Sequence, residues 1–323
     1  MRLSNSKAKT WNRCPKQYDF KYVQKLRPKR KKVHLELGTW VHELLMVYYD
    51  GEDWKAKHRQ LKAKFNNLFE EEKEELGDLP AEALRLFKSY LRHYGKEDEE
   101  HRTIDTEVDE IIELPNGLRF QFIIDRIYED RDGLWLQDHK AISKFMPKDF
   151  MLLDAQLTRY FYCAEKMGYT PLLGVEFNEI RTKAPSIPHV NQDGFLSRAQ
   201  KIDTDYWTYL KTIKDLGQNP KSKIYLPKLR ELWEREQTDS RFFRRSRLPK
   251  DKPVTRTMMR ELTDTAVEIR QAEKRGRFRR TPDKSCQWTC DYLDLCVTEL
   301  HGGNTDSMIK MHYEQRKRNE EDG

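Results

Sequence analysis

Nowhere does the chain approach the roughly 18 consecutive apolar residues that a bilayer span needs, and its N-terminal MRLSNSKAKTWNRC lacks the apolar core of a signal peptide. Both absences point away from the membrane and the secretory route, and the expected compartment is the cytoplasm. Cysteine is scarce as well, five residues in 323. An odd number of thiols in a reducing compartment points to metal or cluster ligation, or to burial, before disulfides. Internal repeats and low-complexity segments are missing too. Hydrophobic residues make up only 37%, which fills a lean core in one large domain or two ordinary ones.

Charge is what the chain has in quantity. Asp, Glu, Lys and Arg form 36% of it, with a net charge of +7 that gathers in three blocks. Arg27, Lys29, Arg30, Lys31 and Lys32 make the first, Arg241, Arg244, Arg245 and Arg247 the second, and residues 274–280 the third. Phe242, Phe243 and Phe278 interleave the last two. Any one block reads as a solvated face, but three together favour a polyanionic partner. Acidic runs at 70–75 and 97–100 argue against a uniformly basic coat.

Periodicity predicts an amphipathic helix from Ser4 to about Tyr22, with Trp11, Cys14, Tyr18 and Tyr22 on one face, and a second from Gly38 to Tyr49. Charged helices follow over 52–96, interrupted near Gly77 to Pro80. Residues 103–113, 118–128 and 134–139 change texture to β-rich runs separated by the turn signals PNG and EDRDG, which predicts consecutive antiparallel strands. A helix over 154–167 and a strand over 172–182 come next, and the remainder to about 275 reads as helical. The expected architecture is a small α/β core inside a mostly helical shell, ending in a polar tail.

Two acids and a lysine mark that core. If the runs flanking EDRDG pair as a hairpin, Asp125 and Asp138 lie near each other across it. Asp138 and Lys140, two apart on a strand, share a face, and His139 points the other way. Such a group of hard oxygen ligands and one ammonium suits Mg²⁺ or Mn²⁺ at a scissile phosphate, with the lysine placed to position or help deprotonate the attacking water. Alone, the triplet also fits an ordinary ion-paired strand end. Its company favours chemistry, because both acids follow apolar runs, FQFII and LWLQ, where a charge is costly unless it coordinates or pairs. Gln156 and Tyr160, one helical turn apart, could both reach over this edge. His42 in GTWVHELL fits a packed histidine, or a ligand that biases the site toward Mn²⁺. Glu107, on the first strand, fits a structural role better than a catalytic one.

GTWVH (38–42), FIIDRI (122–127), LQDHK (136–140) and QLTRY (156–160), in that order, resemble the RecB-type branch of the PD-(D/E)xK nuclease superfamily, particularly the small phage exonucleases and the CRISPR-associated RecB-like nucleases. The resemblance implies a restriction-endonuclease-like core, a central mixed β-sheet flanked by helices. It implies His42, Asp125 and Asp138 as metal ligands, with the backbone carbonyl of His139 as a further one. Lys140 becomes the catalytic lysine, and Gln156 with Tyr160 the helix pair near the substrate. Family members usually carry Tyr before the lysine and Thr after it; His139 and Ala141 stand there in this chain, a departure that bears on rate more than on reaction type.

Three more thiols crowd into CQWTCDYLDLC at 286–296, one ligand short of a tetrahedral or cubane site. Cys14, in RCPKQYDFKY, would be the fourth, and the resemblance implies the same set, since RecB-type nucleases with an iron-sulfur cluster take one Cys from a C-P-x-x-Y motif and three from the C-terminus. Cys14, Cys286, Cys290 and Cys296 could hold either [4Fe-4S] or Zn²⁺; the spacing favours the cluster, although three residues rather than the usual two separate Cys286 from Cys290. Tying the two ends together is worth roughly 5 kcal/mol by chain entropy, so a staple is the expected role. Cys163 reads as a buried apolar residue.

The expected organisation is an N-terminal helical region at 1–102 with Cys14 and His42, a nuclease core at 103–182, a C-terminal helical region at 183–300 with three cluster cysteines, and a tail at 301–323. The expected function is a Mg²⁺- or Mn²⁺-dependent DNA exonuclease of phage or bacterial recombination, repair or processing, whose basic blocks grip phosphates and whose Phe242, Phe243 and Phe278 stack on bases. It would work in the cytoplasm of a bacterium or phage-infected host, with a recombinase or single-strand-binding partner possible. The alternative is a non-catalytic nucleic-acid-binding subunit that keeps the fold and a structural metal centre.

Overall fold

The turn-separated β-rich runs of the middle of the chain do fold as consecutive antiparallel strands. In the computed structural model, which describes residues 2–114 and 116–316, the chain opens with β1 (Arg2–Ser4), α1 (Asn5–Arg13), α2 (Pro15–Tyr18), a π-helical turn (Asp19–Val23) and β2 (Leu26–Pro28). Helices α3 (Val33–Tyr49), α4 (Trp54–Asn66), α5 (Glu70–Leu76) and α6 (Leu79–Asp98) follow. Strands β3 (Arg102–Glu113), β4 (Arg119–Glu129) and β5 (Leu134–Ile142) then lead through α7 (Lys148–Leu153) and α8 (Ala155–Lys166) to β6 (Leu172–Arg181). Beyond it come α9 (Tyr206–Asp215), α10 (Leu226–Thr238), β7 (Phe243–Pro249) and α11 (Lys252–Arg275). The last elements are α12 (Cys286–Thr289), α13 (Leu293–Leu300), α14 (Thr305–His312) and β8 (Tyr313–Gln315).

A six-stranded mixed sheet forms the centre, in the order β1-β4-β5-β6-β7 with β3 on the other edge of β4. Strands β3, β4 and β5 are antiparallel, β5 and β6 parallel, and β6 and β7 antiparallel. One feature of this order creates a cleft. Strand β1 pairs with β4 only at 119–121, and β5 pairs with it only at 126–129. The edge of β4 between them, residues 122–125, has no neighbouring strand and opens to side chains from elsewhere.

Helices cover both faces. Trp11, Phe161, Leu262 and Ile269 from α1, α8 and α11 bury one side of the sheet, and Leu44, Phe87 and Tyr90 from α3 and α6 bury the other with Ile180 and Phe243. The sheet reaches past the expected core at 103–182 in both directions, through β1 and β7. The first expected helix is broken at Cys14, whose φ of −160 and ψ of 110 are extended, because the ring of Pro15 disfavours helical geometry in the residue before it. Helix α3 starts ahead of Gly38, which lies inside it. The expected polar tail is folded as far as it is described: β8 pairs with β2, and residues 317–323 lie outside the described residues.

The second basic block is neither helical nor free. It forms β7, and Phe242 and Phe243, expected to stack on bases, are 2% and 5% exposed. Arg245 places its guanidinium 2.6 Å from Asp98 and 2.8 Å from Glu97, while Arg247 lies 2.9 Å from Glu176 and 2.6 Å from Asp130. Arg244 pairs with the fully buried Glu179. These arginines are counterions above all for the buried Asp98, Glu176 and Glu179, each of which would cost several kcal/mol if left alone. The first block is similarly occupied: Arg30, Lys31 and Lys32 pair with Glu75, Glu72 and Asp291. Phe278 packs edge-on against Trp11 at the core rather than facing solvent. Among the described residues no helix is long and apolar enough to cross a membrane.

Candidate active site

Strand register sets three carboxylates in a row. Pairs Thr106↔Arg126 and Val108↔Ile124 put Glu107 opposite Asp125, and one step past the pair Arg126↔Gln137 Asp125 stands opposite Asp138. Beyond that rung β5 parts from β4 while still pairing with β6, and the freed backbone N–H of His139 donates to Asp125 Oδ2 at 2.6 Å. Like charges directly opposite on a sheet cost stability, and Glu107 adds backbone strain, with φ of 45.

The electrostatics follow from that row. Burial, then Asp125, Glu43, Asp109 and Asp50, push the Glu107 carboxyl up to about 7. Asp138 is 3% exposed. Its burial and Asp125 raise its carboxyl against the pull of Lys140 and His42, to about 6. Lys140 Nζ lies 2.7 Å from Asp138 Oδ2, so the ammonium and the buried carboxylate form a close ion pair. Burial lowers the Lys140 ammonium, yet Asp138, Asp125 and Asp154 outweigh it and raise the pKa. The lysine is therefore held as a cation.

Helices supply the rest. Asp154 caps α8 by accepting from the backbone N–H of Gln156 at 2.8 Å, which aims the first turn at β5. Gln156 Nε2 then donates to Asp138 Oδ1 at 3.1 Å and to the Tyr160 hydroxyl at 3.3 Å, and its Oε1 lies 3.5 Å from Lys140 Nζ. From α3, His42 Nδ1 comes 3.7 Å from Asp125 Oδ2. His42, Glu107 and Asp125 each offer a ligand atom within 4.8 Å of the other two. All of these side chains, with Asp138, Lys140, Gln156 and Tyr160, line one cleft of about 690 Å³ at the free edge of β4. His139 points to the opposite face as strand alternation requires. The residue is 2% exposed; its ring stacks on Tyr49 at 5.6 Å, meets Asn178 at 2.8 Å and backs the His42 ring edge to face at 5.8 Å, while its backbone faces Asp125.

Glu107 is the residue the sequence reading set aside. Carrying the register of the PNG hairpin through would have placed it opposite Asp125, so the signal was present in strand pairing rather than in any motif. The donor set fits a hard divalent cation: the carboxylate oxygens of Glu107 and Asp125 and the His42 imidazole, with the buried Asp138 carboxylate beside them.

The four cysteines of the sequence reading line one cavity of about 170 Å³, between the Cys14–Pro15 break and helices α12 and α13. All five thiols of the chain are free, and among the described residues no three sulfurs lie within 4.8 Å of one another. Burial raises the Cys14 thiol, but backbone N–H groups of Thr281, Gln17 and Lys16, with the Thr281 side chain, outweigh it and hold the pKa below its ordinary value. Cys163 is fully buried in the core, where burial pushes its thiol up.

Residues 2–297 match the family model of the PD-(D/E)XK nuclease superfamily. The chain belongs to that superfamily. A search of the curated proteins found no match. The mixed sheet with flanking helices fits the restriction-endonuclease-like fold, membership brings metal-dependent nuclease chemistry with it, and nucleases of this superfamily use Mg²⁺ or Mn²⁺.

In this nuclease both raised carboxyls ionise more readily in the unfolded chain than in the folded one. The metal-free folded state therefore loses stability as pH rises from the ordinary glutamate value of 4.5 through about 7. We expect the melting temperature in EDTA to fall across that window and to fall less in Glu107→Gln; identical profiles for the two proteins would contradict the carboxylate row.

Proposed function

We propose that this nuclease is a Mg²⁺- or Mn²⁺-dependent DNA exonuclease of the RecB-type branch, acting in phage or bacterial DNA recombination, repair or end processing. The observation that carries the reading is the His42, Glu107 and Asp125 set, whose ligand atoms lie within 4.8 Å of one another, beside the buried Asp138 and its ion pair with Lys140. His42, Asp125 and Asp138 would hold the cation, with the His139 carbonyl, and Glu107 joins them as a further oxygen donor. When bound, the cation supplies Lewis-acid polarisation of the scissile phosphate and a lowered pKa for attacking water.

The protein's own groups do the remaining work. Lys140, held as an ammonium, orients the attacking water and faces the charge that develops on the phosphate. Gln156 fixes Asp138 and Lys140 relative to each other through its two ends, and Tyr160 keeps Gln156 in place. Asp125 ties the row to the backbone at His139, so the acids do not collapse onto one another. The order GTWVH, FIIDRI, LQDHK and QLTRY supports the RecB-type assignment, and the likeness to small phage exonucleases supports attack at DNA ends. Mn²⁺-dependent digestion of end-labelled DNA tests it. We expect Asp138→Ala to abolish cleavage and Lys140→Ala to slow it on the order of 10²- to 10⁴-fold; undiminished cleavage by Asp138→Ala would end the assignment.

We further propose that Cys14, Cys286, Cys290 and Cys296 hold a [4Fe-4S] cluster as a staple between the chain's two ends. Four free thiols on one enclosed wall support it, as do the N–H donors around Cys14. Their spread is wider than the roughly 3.8 Å between sulfurs of a tetrahedral zinc site with bonds of about 2.3 Å. Cys290→Ser protein should lose iron, sulfide and brown absorbance and become protease-sensitive; full protease resistance after loss of colour would refute the staple.

A further inference from the structure

Two of the basic blocks that would have gripped phosphates are paired with acids of the same chain, yet unpaired cations do collect elsewhere. Helices α9 and α10 carry their own small core of Leu196, Tyr209, Ile213, Tyr225, Leu229 and Leu232. Outside it, Tyr206, Trp207 and Trp233 meet edge to face, with ring centroids 5.1 Å apart from Tyr206 to each tryptophan and 6.4 Å between the tryptophans. Trp207 is 39% and Trp233 45% exposed, and the Arg92 guanidinium lies 5.5 Å from the Trp207 ring centre. Exposed indoles gathered on one face are unusual for a surface with nothing to bind.

Tyr206 and Trp233 form part of the wall of a cavity of about 650 Å³, shared with Lys214, Lys221 and Arg230. These three exposed cations make no ion pair among the described residues, and Glu234 is the one acid on the wall. None of the lining residues belongs to the cleft of the carboxylate row. A wall that combines accessible aromatic rings with unneutralised positive charge matches a flexible polyanion carrying flat apolar faces. Unpaired nucleobases expose those faces and duplex bases hide them.

We propose that this face of α9 and α10 is a second nucleic-acid site that holds single-stranded DNA, with bases stacked on Trp233 and Trp207 and phosphates against Lys214, Lys221 and Arg230. The choice of DNA as the polyanion rests on the exonuclease reading. Holding a strand apart from the cutting cleft would keep a long substrate bound while its end is processed, and leave short substrates unaffected.

The test uses the full-length protein in EDTA and a fluorescent oligo(dT), with binding read by anisotropy. Trp233→Ala and Arg230→Glu should each bind at least about fivefold more weakly than wild type, and Arg230→Glu should also show a shallower salt dependence. Both variants should cut a short oligonucleotide at the wild-type rate once Mn²⁺ is added. Wild-type affinity in both variants, as expected if the face docks a peptide or a second copy of the chain, overturns the site, and so does a wild-type protein that does not bind oligo(dT). Because binding is read without metal, variant-sensitive binding by a protein that cuts no DNA would support this site and refute the exonuclease reading alone.

Discussion

Everything in the cleft depends on the point where β5 parts from β4. At that step two antiparallel strands stop pairing, one backbone N–H is left over, and the Asp125 carboxylate takes it. The same carboxylate faces Glu107 on one side and Asp138 on the other, so the end of a hairpin becomes a row of negative charge. A folded chain keeps such repulsion only when something offsets it. Lys140 and His42 offset part, and an ion coordinated by the oxygens and the imidazole would offset the remainder. Ordinary hairpin ends splay harmlessly; this one splays where three acids meet.

The rest of the fold can be understood as support for that step. Strand β6 pairs with β5 in parallel register along its length, and β7 closes the far edge with arginines that neutralise Glu176 on one face of the sheet and Glu179 on the other. Behind His139, Tyr49 and Tyr90 share a hydrogen bond of 2.5 Å, and the buried Arg126 lies 3.7 Å from the Tyr49 ring centre. That dense polar layer fixes the height of β5 from the side opposite the cleft. Helix α8 fixes it from above through a single capped turn. Rigid support on both faces is what a site assembled from three strands and two helices requires.

Much of this could be read from the residues. The i, i+2 relation of Asp138 and Lys140, the opposite facing of His139, the hairpin contact of Asp125 with Asp138 and the helical spacing of Gln156 and Tyr160 all follow from element periods, and the structure brings these side chains together. Glu107 was passed over because no motif marks it; only the rung count across two strands does. The arginines of β7 misled because a run of positive charge in sequence does not reveal its partners. Asp98 at the end of α6 and Glu176 and Glu179 on β6 are distant from it in sequence and meet it only after folding. Phe242 and Phe243 were misread with them, since a run such as RFFRRSR can bury its rings as readily as expose them. The break at Cys14 was readable from Pro15 but was hidden by an otherwise regular helical pattern.

Calorimetric titration of Mn²⁺ into the metal-free protein measures the offset of the carboxylate row most directly. Wild-type protein should bind the ion, with affinity that strengthens as pH passes upward through about 7, where Glu107 ionises, and Asp125→Asn should abolish that binding while remaining folded. A folded Asp125→Asn protein that takes up Mn²⁺ as tightly as wild type would show that the three acids do not share an ion.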